Sequence, residues 1–169
     1  MKIKTKRLVI RELEKQDLTA IVEQVNNLNV SRNLDLVPHP YIKKDAEWFI
    51  NHCKKEAKKK PRENYELAII LKEEGTLIGV IGITHVDIFK KKATFGYWLG
   101  EKYWGKGIMS EAGKAMTDFG FTKLKLKRIE AGVYTGNIGS ERVLQKLGFK
   151  YEGLARKAAR PKSTGEFHD

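Results

Sequence analysis

Three consecutive runs rich in isoleucine, valine and aromatic residues occupy the middle of this chain and restrict its fold more than any other feature. They are YELAIIL (65–71), LIGVIGITHV (77–86) and KKKATFGYWLG (90–100). Runs of this composition are typical of β-strands. The turn sequence KEEGT around Gly75 separates the first two runs, which predicts an antiparallel hairpin. The third run adds a strand next in sequence to that pair.

Segments with helical spacing of apolar residues flank these strands on both sides. Two precede them: one opened by Asp17 and reaching Leu28, and one opened by Asp45 and stopped before Pro61. Two follow: one from the glycine-containing turn at 105–107 to about Phe121, and NIGSERVLQKLG, which ends at Gly148. The inner faces are predicted to carry Leu18, Ile21, Val22, Val25, Leu28, Trp48, Phe49, His52 or Cys53, Ile108, Ala112, Ala115, Met116, Phe119, Leu144 and Leu147. Residues 29–42, broken by two prolines, are expected to form a loop.

Further strand-like runs lie around Leu8 and Ile10, in RIEAGVY (128–134) and in FKYEGLARKA (149–158). The resulting order, β-α-α-β-β-β-α-β-α-β, predicts an α/β chain with a mixed, mostly antiparallel sheet and helices on both faces. The unit formed by strand 90–100, its helix and strand 128–134 should be parallel and right-handed. Residues 1–169 contain no repeat and no long linker, so we expect a single domain.

Composition limits the classes of partner and compartment. A net charge of +12 favours polyanionic or phosphorylated ligands, although a lysine-rich soluble surface would give the same value. Cys53 is the only cysteine, which excludes an internal disulfide and a cysteine-rich metal site, and no nucleophile motif surrounds it. No apolar run is long enough for a signal peptide or a membrane span, so we expect a cytoplasmic protein without a membrane partner.

The stretch LGEKYWGKGIMSEA places two glycines, Gly105 and Gly107, where a helix should begin. A helix N-terminus offers free backbone N–H groups to phosphate, and glycine permits close approach. The stretch lacks the Walker A pattern, and Ser110 stands where a dinucleotide fingerprint needs its third glycine. The remaining interpretations are a loop for the pyrophosphate of coenzyme A, with charge added by Lys102 and Lys106, and a simple turn.

Three segments together resemble the GNAT N-acetyltransferase superfamily, and within it the branch that acetylates the N-termini of ribosomal proteins. They are TKRLVIRELEKQDLTAI, GYWLGEKYWGKGIMSEA and RIEAGVYTGNIGSERVLQKLGFKYEG, and they cover nearly the whole chain. The resemblance implies the GNAT fold, acetyl-CoA as acetyl donor, and direct transfer of the acetyl group to an amine.

The resemblance also implies roles for individual residues. The family's coenzyme motif falls on Lys102, Gly105 and Gly107, and backbone amides of the surrounding loop would hold the pyrophosphate. The loop residues concerned are Tyr103, Trp104, Gly105, Lys106, Gly107, Ile108 and Met109. The backbone of Trp98 and Leu99 would pair with the pantetheine arm, which Asn137 would also bind, and Ser140 would protonate the departing thiolate. Local sequence alone makes Asn137 a helix N-cap and Ser140 an exposed first-turn serine.

The chain departs from the family pattern at two site positions. Lys102 stands where relatives carry arginine or glutamine, which keeps the charge but loses the fork geometry. Thr94 stands where relatives often carry a glutamate, so a carboxylate base is missing there. Glu130, His85 and Asp87 are the candidate general bases by strand position, and a water chain to solvent is the alternative. No metal is expected.

After STGEFHD the family continues with another apolar strand, so we expect an open sheet edge and, through it, a homodimer. The acceptor stays open among a protein N-terminal α-amine, a polyamine or other small amine, and an amine-bearing drug. A non-catalytic acetyl-CoA-binding relative is the second hypothesis, motivated by Thr94 and the missing strand. A nucleic-acid-binding module using the basic surface is the third, and no nucleic-acid motif supports it.

Overall fold

A computed structural model describes residues 1–169, and six strands form one sheet whose spatial order follows the chain. The strands are β1 (Lys2–Lys4), β2 (Leu8–Arg11), β3 (Tyr65–Leu71), β4 (Thr76–Asp87), β5 (Lys92–Leu99) and β6 (Arg128–Glu130). The first five pair antiparallel, and β5 pairs parallel with β6. The predicted hairpin, the third strand beside it and the parallel crossover are confirmed.

Five helices accompany the sheet: α1 (Leu18–Val25), α2 (Leu28–Ser31), α3 (Lys43–Glu56), α4 (Ile108–Thr122) and α5 (Ile138–Lys146). The predicted first helix ends early, because Asn27 starts a new cap: its side chain accepts a hydrogen bond from the Asn29 N–H at 2.9 Å. The short α2 therefore lies inside the segment predicted as a loop. None of the helices combines the length and apolar character that a membrane crossing requires.

The core is divided by the sheet into two clusters, because side chains on a strand alternate between its faces. On one face, Leu67, Ile69, Ile81 and Ile83 pack with residues of α4 and α5. On the opposite face, Ala68, Ile70 and Val80 pack with residues of α1 and α3. The prediction of helices on both faces is confirmed. Each fully buried aliphatic side chain stabilises the fold by about 1.5–3 kcal/mol.

Strands β5 and β6 pair over only three residues and then diverge. The pairs are Lys92 with Arg128, Ala93 with Ile129 and Thr94 with Glu130. Beyond Thr94, β5 continues to Leu99 with no strand on that side. The backbone donors and acceptors on this side of β5 therefore have no strand partner, and the Leu99 carbonyl at the end of the strand accepts from the Trp104 indole N–H at 2.7 Å.

Three further sequence predictions are wrong in detail. The strand predicted over 128–134 ends at Glu130, and the strand predicted over 149–158 does not form. A strand needs a neighbouring strand with which to exchange backbone hydrogen bonds, and no strand of the sheet pairs with 149–158. Trp48 was expected on the inner face of its helix but is 66% exposed, since Ala46, Ile50 and Cys53 form the buried stripe instead.

Candidate functional site

The loop before α4 adopts a conformation that its two glycines make accessible. Gly105 has φ +72° and Gly107 has φ +70°, both in the left-handed region that glycine enters without strain. Gly107 is also the N-cap residue of α4. A Cβ at Gly105 would meet no atom within 4 Å, so backbone conformation rather than crowding requires glycine there.

This loop and the first turn of α4 present a row of free amides. The backbone N–H groups of residues 105 to 110 donate to no acceptor within the protein, whereas those of Tyr103 and Trp104 are engaged in the preceding turn, at 3.0 Å each. Free amides at a helix N-terminus, combined with the helix dipole, bind phosphate groups. The loop therefore fits the pyrophosphate of a coenzyme, held by backbone from residue 105 onward.

Arg7 and Glu111 hold the loop against β2. The Arg7 guanidinium donates to the Lys106 carbonyl at 2.8 Å and to the Glu111 carboxylate at 2.7 Å. That carboxylate also accepts from the Thr5 hydroxyl at 2.6 Å and the Arg7 backbone N–H at 2.8 Å. Burial raises the pKa of Glu111, but these hydrogen bonds outweigh burial and lower it below the usual value. The loop is therefore fixed in place without contribution from a ligand.

The cationic and aromatic side chains of the loop have partners of their own. Lys102 lies 3.9 Å from Glu74, and the Tyr103 hydroxyl donates to the same carboxylate at 2.6 Å. The Lys106 ammonium lies 5.8 Å from the Tyr103 ring centroid, and the Trp104 indole N–H donates to the Leu99 carbonyl at 2.7 Å. The side chains of Ile108 and Met109 are buried in the core.

The gap between β5 and β6 is bordered by the residues predicted to meet the thioester end of the coenzyme. Asn137 caps α5, and its side-chain oxygen accepts from the Ser140 N–H at 3.2 Å. The Tyr97 hydroxyl donates to the Ser140 carbonyl at 3.4 Å. The hydrogen bond from Tyr97 brings Ser140 beside β5, and Trp98 and Leu99 follow Tyr97 on that strand.

A cavity of about 590 Å³ opens on the opposite face of the sheet, between the sheet, α3 and the 34–38 segment. Its walls are mostly apolar and aromatic, and its floor is formed by residues of β3, β4 and β5 that share this face. The lining residues include Tyr41, Trp48, Phe49 and Trp98 on the walls, and Glu66, Val80, Gly82, Thr84 and Gly96 on the floor.

Three carboxylates line this cavity, and Glu66 has the weakest hydrogen-bond partner of the three. Asp35 accepts from the Tyr134 hydroxyl at 2.5 Å, and Asp45 accepts from the Ile42 N–H at 2.9 Å. Glu66 makes no ion pair, and its one hydrogen-bond partner is the Cys53 thiol, at 3.8 Å. Burial raises the pKa of Glu66, and burial likewise raises that of Cys53. Sequence reasoning missed Glu66, although a glutamate in an otherwise apolar strand was a visible signal.

The structure does not bring the sequence-predicted bases into the cavity. His85 is exposed, with φ +52°, at the irregularity in β4. Glu130 lies 3.0 Å from Arg128 and 3.7 Å from Lys92 at the surface, and Asp87 accepts from the Lys90 N–H at 2.8 Å. Thr94 lies between Thr84 and Glu130 in the sheet. No cluster of His, Cys, Asp and Glu is arranged to hold a metal.

Comparison with known proteins identifies the family. Residues 7–150 match the acetyltransferase (GNAT) domain. The N-acetyltransferase p20 of Bacillus licheniformis is 34% identical over 154 residues, which cover 90% of this chain and 84% of that protein.

Two solved structures share the fold. A ribosomal-protein-S5-alanine acetyltransferase of Vibrio fischeri superimposes with a TM-score of 0.82 at 23% identity, over 99% of this chain and 93% of the other. The spermidine N-acetyltransferase of Vibrio cholerae, in complex with CoA and spermine, superimposes with a TM-score of 0.80 at 22% identity, over 98% and 92%. A coenzyme A-dependent family is consistent with a loop whose free amides suit a pyrophosphate. The family match and the relative at 34% identity show that the chain is a member of the GNAT family, an N-acetyltransferase whose acetyl donor is acetyl-CoA.

Proposed function

We propose that this enzyme acetylates the α-amine of a protein or peptide N-terminus, bound in the 590 Å³ cavity. The observation that carries this proposal is the character of the lining: apolar and aromatic walls around one carboxylate, Glu66, whose only hydrogen-bond partner is the Cys53 thiol. One carboxylate matches one ammonium, and the walls match the apolar atoms next to it. A polyamine carries several ammonium groups, and each would need its own anionic partner once desolvated.

The objection that a chain of net charge +12 repels any cation does not apply inside the cavity. There, Asp35, Asp45 and Glu66 outnumber the single lysine, Lys162. The local field at the floor therefore favours an ammonium, whereas the basic outer surface favours acidic segments farther along the acceptor chain.

In the proposed mechanism, the free amides of residues 105 to 110 bind the pyrophosphate and the free edge of β5 pairs with the pantetheine arm. The amine nitrogen attacks the thioester carbonyl carbon, a C–N bond forms and the C–S bond breaks. The nitrogen loses a proton as the amide forms and the thiolate takes one up; Ser140, beside the gap, is the candidate group that donates its hydroxyl proton to sulfur and receives the proton from nitrogen in its place. Asn137 contributes by fixing the first turn of α5, which presents Ser140.

An acceptor panel tests the proposal by following thiol release from acetyl-CoA. The panel holds a short peptide with a free N-terminus and no lysine, the same peptide blocked at its α-amine, the blocked peptide with one lysine added, and spermidine. We expect turnover of the free peptide alone, at a kcat/KM at least tenfold above that for spermidine. Preference for spermidine or for the lysine peptide would contradict the α-amine proposal while leaving acetyl transfer intact.

We also propose that the enzyme works in a reducing compartment such as the cytoplasm.

We propose further that the enzyme forms a homodimer through the β6 side of the sheet. At the other edge, β1 carries Lys2 and Lys4, and edge lysines discourage pairing between chains. On the β6 side, residues 149–158 form no strand, and Tyr151 and Leu154 are exposed. Pairing with a second copy would provide the missing neighbour.

A further inference from the structure

The register of the sheet places Glu66 at one end of a path across the cavity floor that no side chain obstructs. Glu66 on β3 pairs with Gly82 on β4, and Gly82 pairs with Gly96 on β5. Residues paired across strands lie on the same face, so all three lie on the cavity side. The path ends at Gly96, two residues beyond the point where β5 leaves β6.

The two glycines serve the path in different ways. A Cβ at Gly82 would lie 3.2 Å from the Glu66 Cγ and 3.2 Å from the Tyr65 carbonyl oxygen, so glycine leaves room for the Glu66 side chain over β4. A Cβ at Gly96 would meet nothing within 4 Å, so it would project into the open cavity. Two strand spacings, roughly 10 Å, separate Glu66 from Gly96 at the backbone, a distance that a glutamate side chain and one water can span.

Glu66 is also the cavity carboxylate with the weakest hydrogen-bond partner: Asp35 and Asp45 accept from an O–H and an N–H at 2.5 and 2.9 Å, whereas Glu66 accepts only from the Cys53 thiol at 3.8 Å. A half-buried carboxylate without a cation or strong donor is costly, and a ligand ammonium would relieve that cost. Of the charged and titratable groups nearest to it, Cys53 donates a hydrogen bond at 3.8 Å, and His52, Glu56 and His85 form no ion pair with it. Burial raises the pKa of Glu66, which brings it closer to that of an amine and improves it as a proton acceptor.

We infer that Glu66 receives the acceptor ammonium along the Gly82–Gly96 floor and takes up its proton, directly or through one water. This inference rests on the proposed function and names the base for the same site. The ammonium loses one proton to the Glu66 carboxylate, and the neutral amine then attacks the thioester carbon. The proton held on Glu66 passes to solvent after the product leaves, which restores the carboxylate.

The first test compares pH profiles of kcat/KM for the acceptor in wild type and Glu66→Gln, with Glu63→Gln as matched control. Glu63 is exposed and three residues away, outside the cavity. Below the ordinary pKa of a peptide α-amine, about 7.7–8.0, we expect Glu66→Gln to lose on the order of 100-fold, the usual contribution of a general base. Above that pKa the acceptor is already neutral, so the loss should shrink to below about tenfold.

The second test uses Gly96→Ala and Gly96→Val, which place one and then three carbons in the path. We expect a stepwise rise in the acceptor KM, with an unchanged melting temperature and unchanged acetyl-CoA affinity. A loss in Glu66→Gln that is constant across pH would overturn the proton-acceptor role, and unaltered KM values in both Gly96 variants would overturn the path. Acetyl-CoA binding without turnover of any amine by wild type would instead overturn the proposed function, and the inference with it.

Discussion

At the scale of single residues, the Arg11–Asp17 pair shows how a buried charge is made tolerable. Asp17 is 4% exposed, and its two carboxylate oxygens accept from the Arg11 guanidinium at 2.8 Å each. One of those oxygens also accepts from the Glu14 N–H at 2.7 Å. The hydrogen bond to Asp17 raises the pKa of Arg11. The pair ties the end of β2 to the start of α1, beside the cavity face.

We expect Asp17→Ala to lower the free energy of unfolding by about 3 kcal/mol, because it leaves the largely buried Arg11 guanidinium with only the exposed Glu14 carboxylate, 3.7 Å away, as an ionic partner. Urea denaturation followed by circular dichroism measures the change. Arg11→Met with Asp17→Ala, which removes both charges, should recover most of the loss. A double variant as unstable as the single one would show that the pair contributes through its geometry rather than through charge compensation.

Single residues also show which features can be predicted from sequence and which cannot. The cap and helix residues Asp17 and Gly148 lie near the predicted boundaries, because such signals act locally. Glu66 shows the opposite case. Its importance depends on pairing with Gly82 and Gly96, and register between strands depends on partners distant in sequence. The resemblance to a family identified the loop, whereas the acceptor side needed the structure.

At the scale of elements, the two glycines of the loop before α4 could be explained from the sequence either by a tight turn or by a phosphate site. Left-handed φ at Gly105 and Gly107 explains both glycines as parts of a turn, and the free amides of residues 105 to 110 make the same turn an anion site. The turn interpretation is confirmed, and the phosphate interpretation stays a prediction that the free amides support. Side-chain charge has a smaller part, since Lys102 pairs with Glu74.

We expect acetyl-CoA at about 100 times its Kd to stabilise wild type by roughly 2.7 kcal/mol, and Gly107→Trp to lose this effect because the indole would fill the anion site. Thermal unfolding against acetyl-CoA concentration provides the measurement. Gly148→Trp is the control, since Gly148 also has a left-handed φ and open space around it, at the far end of α5. An equal ligand shift in both variants would place the coenzyme elsewhere.

Two predicted strand segments do not form, and the physical reason is the same for both. Residues 149–158 have a strand-like composition, and residues 131–134 continue a strand pattern, yet neither pairs in the sheet. Composition reports that a segment suits a pleated surface, whereas pairing depends on a neighbour being present. The helices were predicted better because each one closes its own hydrogen bonds.

At the scale of the whole molecule, the β6 side of the sheet is where a second copy would add most. We expect the protein to sediment as a dimer at micromolar concentration and Leu154→Lys to shift it toward monomer, since Leu154 is 55% exposed on the unpaired segment. Analytical ultracentrifugation over a range of concentrations measures this. Phe89→Lys, at a 94% exposed position in the β4–β5 turn, is the control that should remain dimeric. A monomeric wild type would exclude the association.

The two-sided construction of the molecule has a kinetic consequence. The amide-lined loop leads into α4, on one face of the sheet, and the cavity lies on the face of α1 and α3. With the donor at the loop and the acceptor in the cavity, as proposed, the two substrates would reach the site from opposite faces of the sheet and meet where β5 parts from β6. Neither would then block the entry of the other, so we expect both to bind at once in either order. Coenzyme A would then leave from the face of α4 and the acetylated amine from the face of α1 and α3, so we expect neither release to depend on the other.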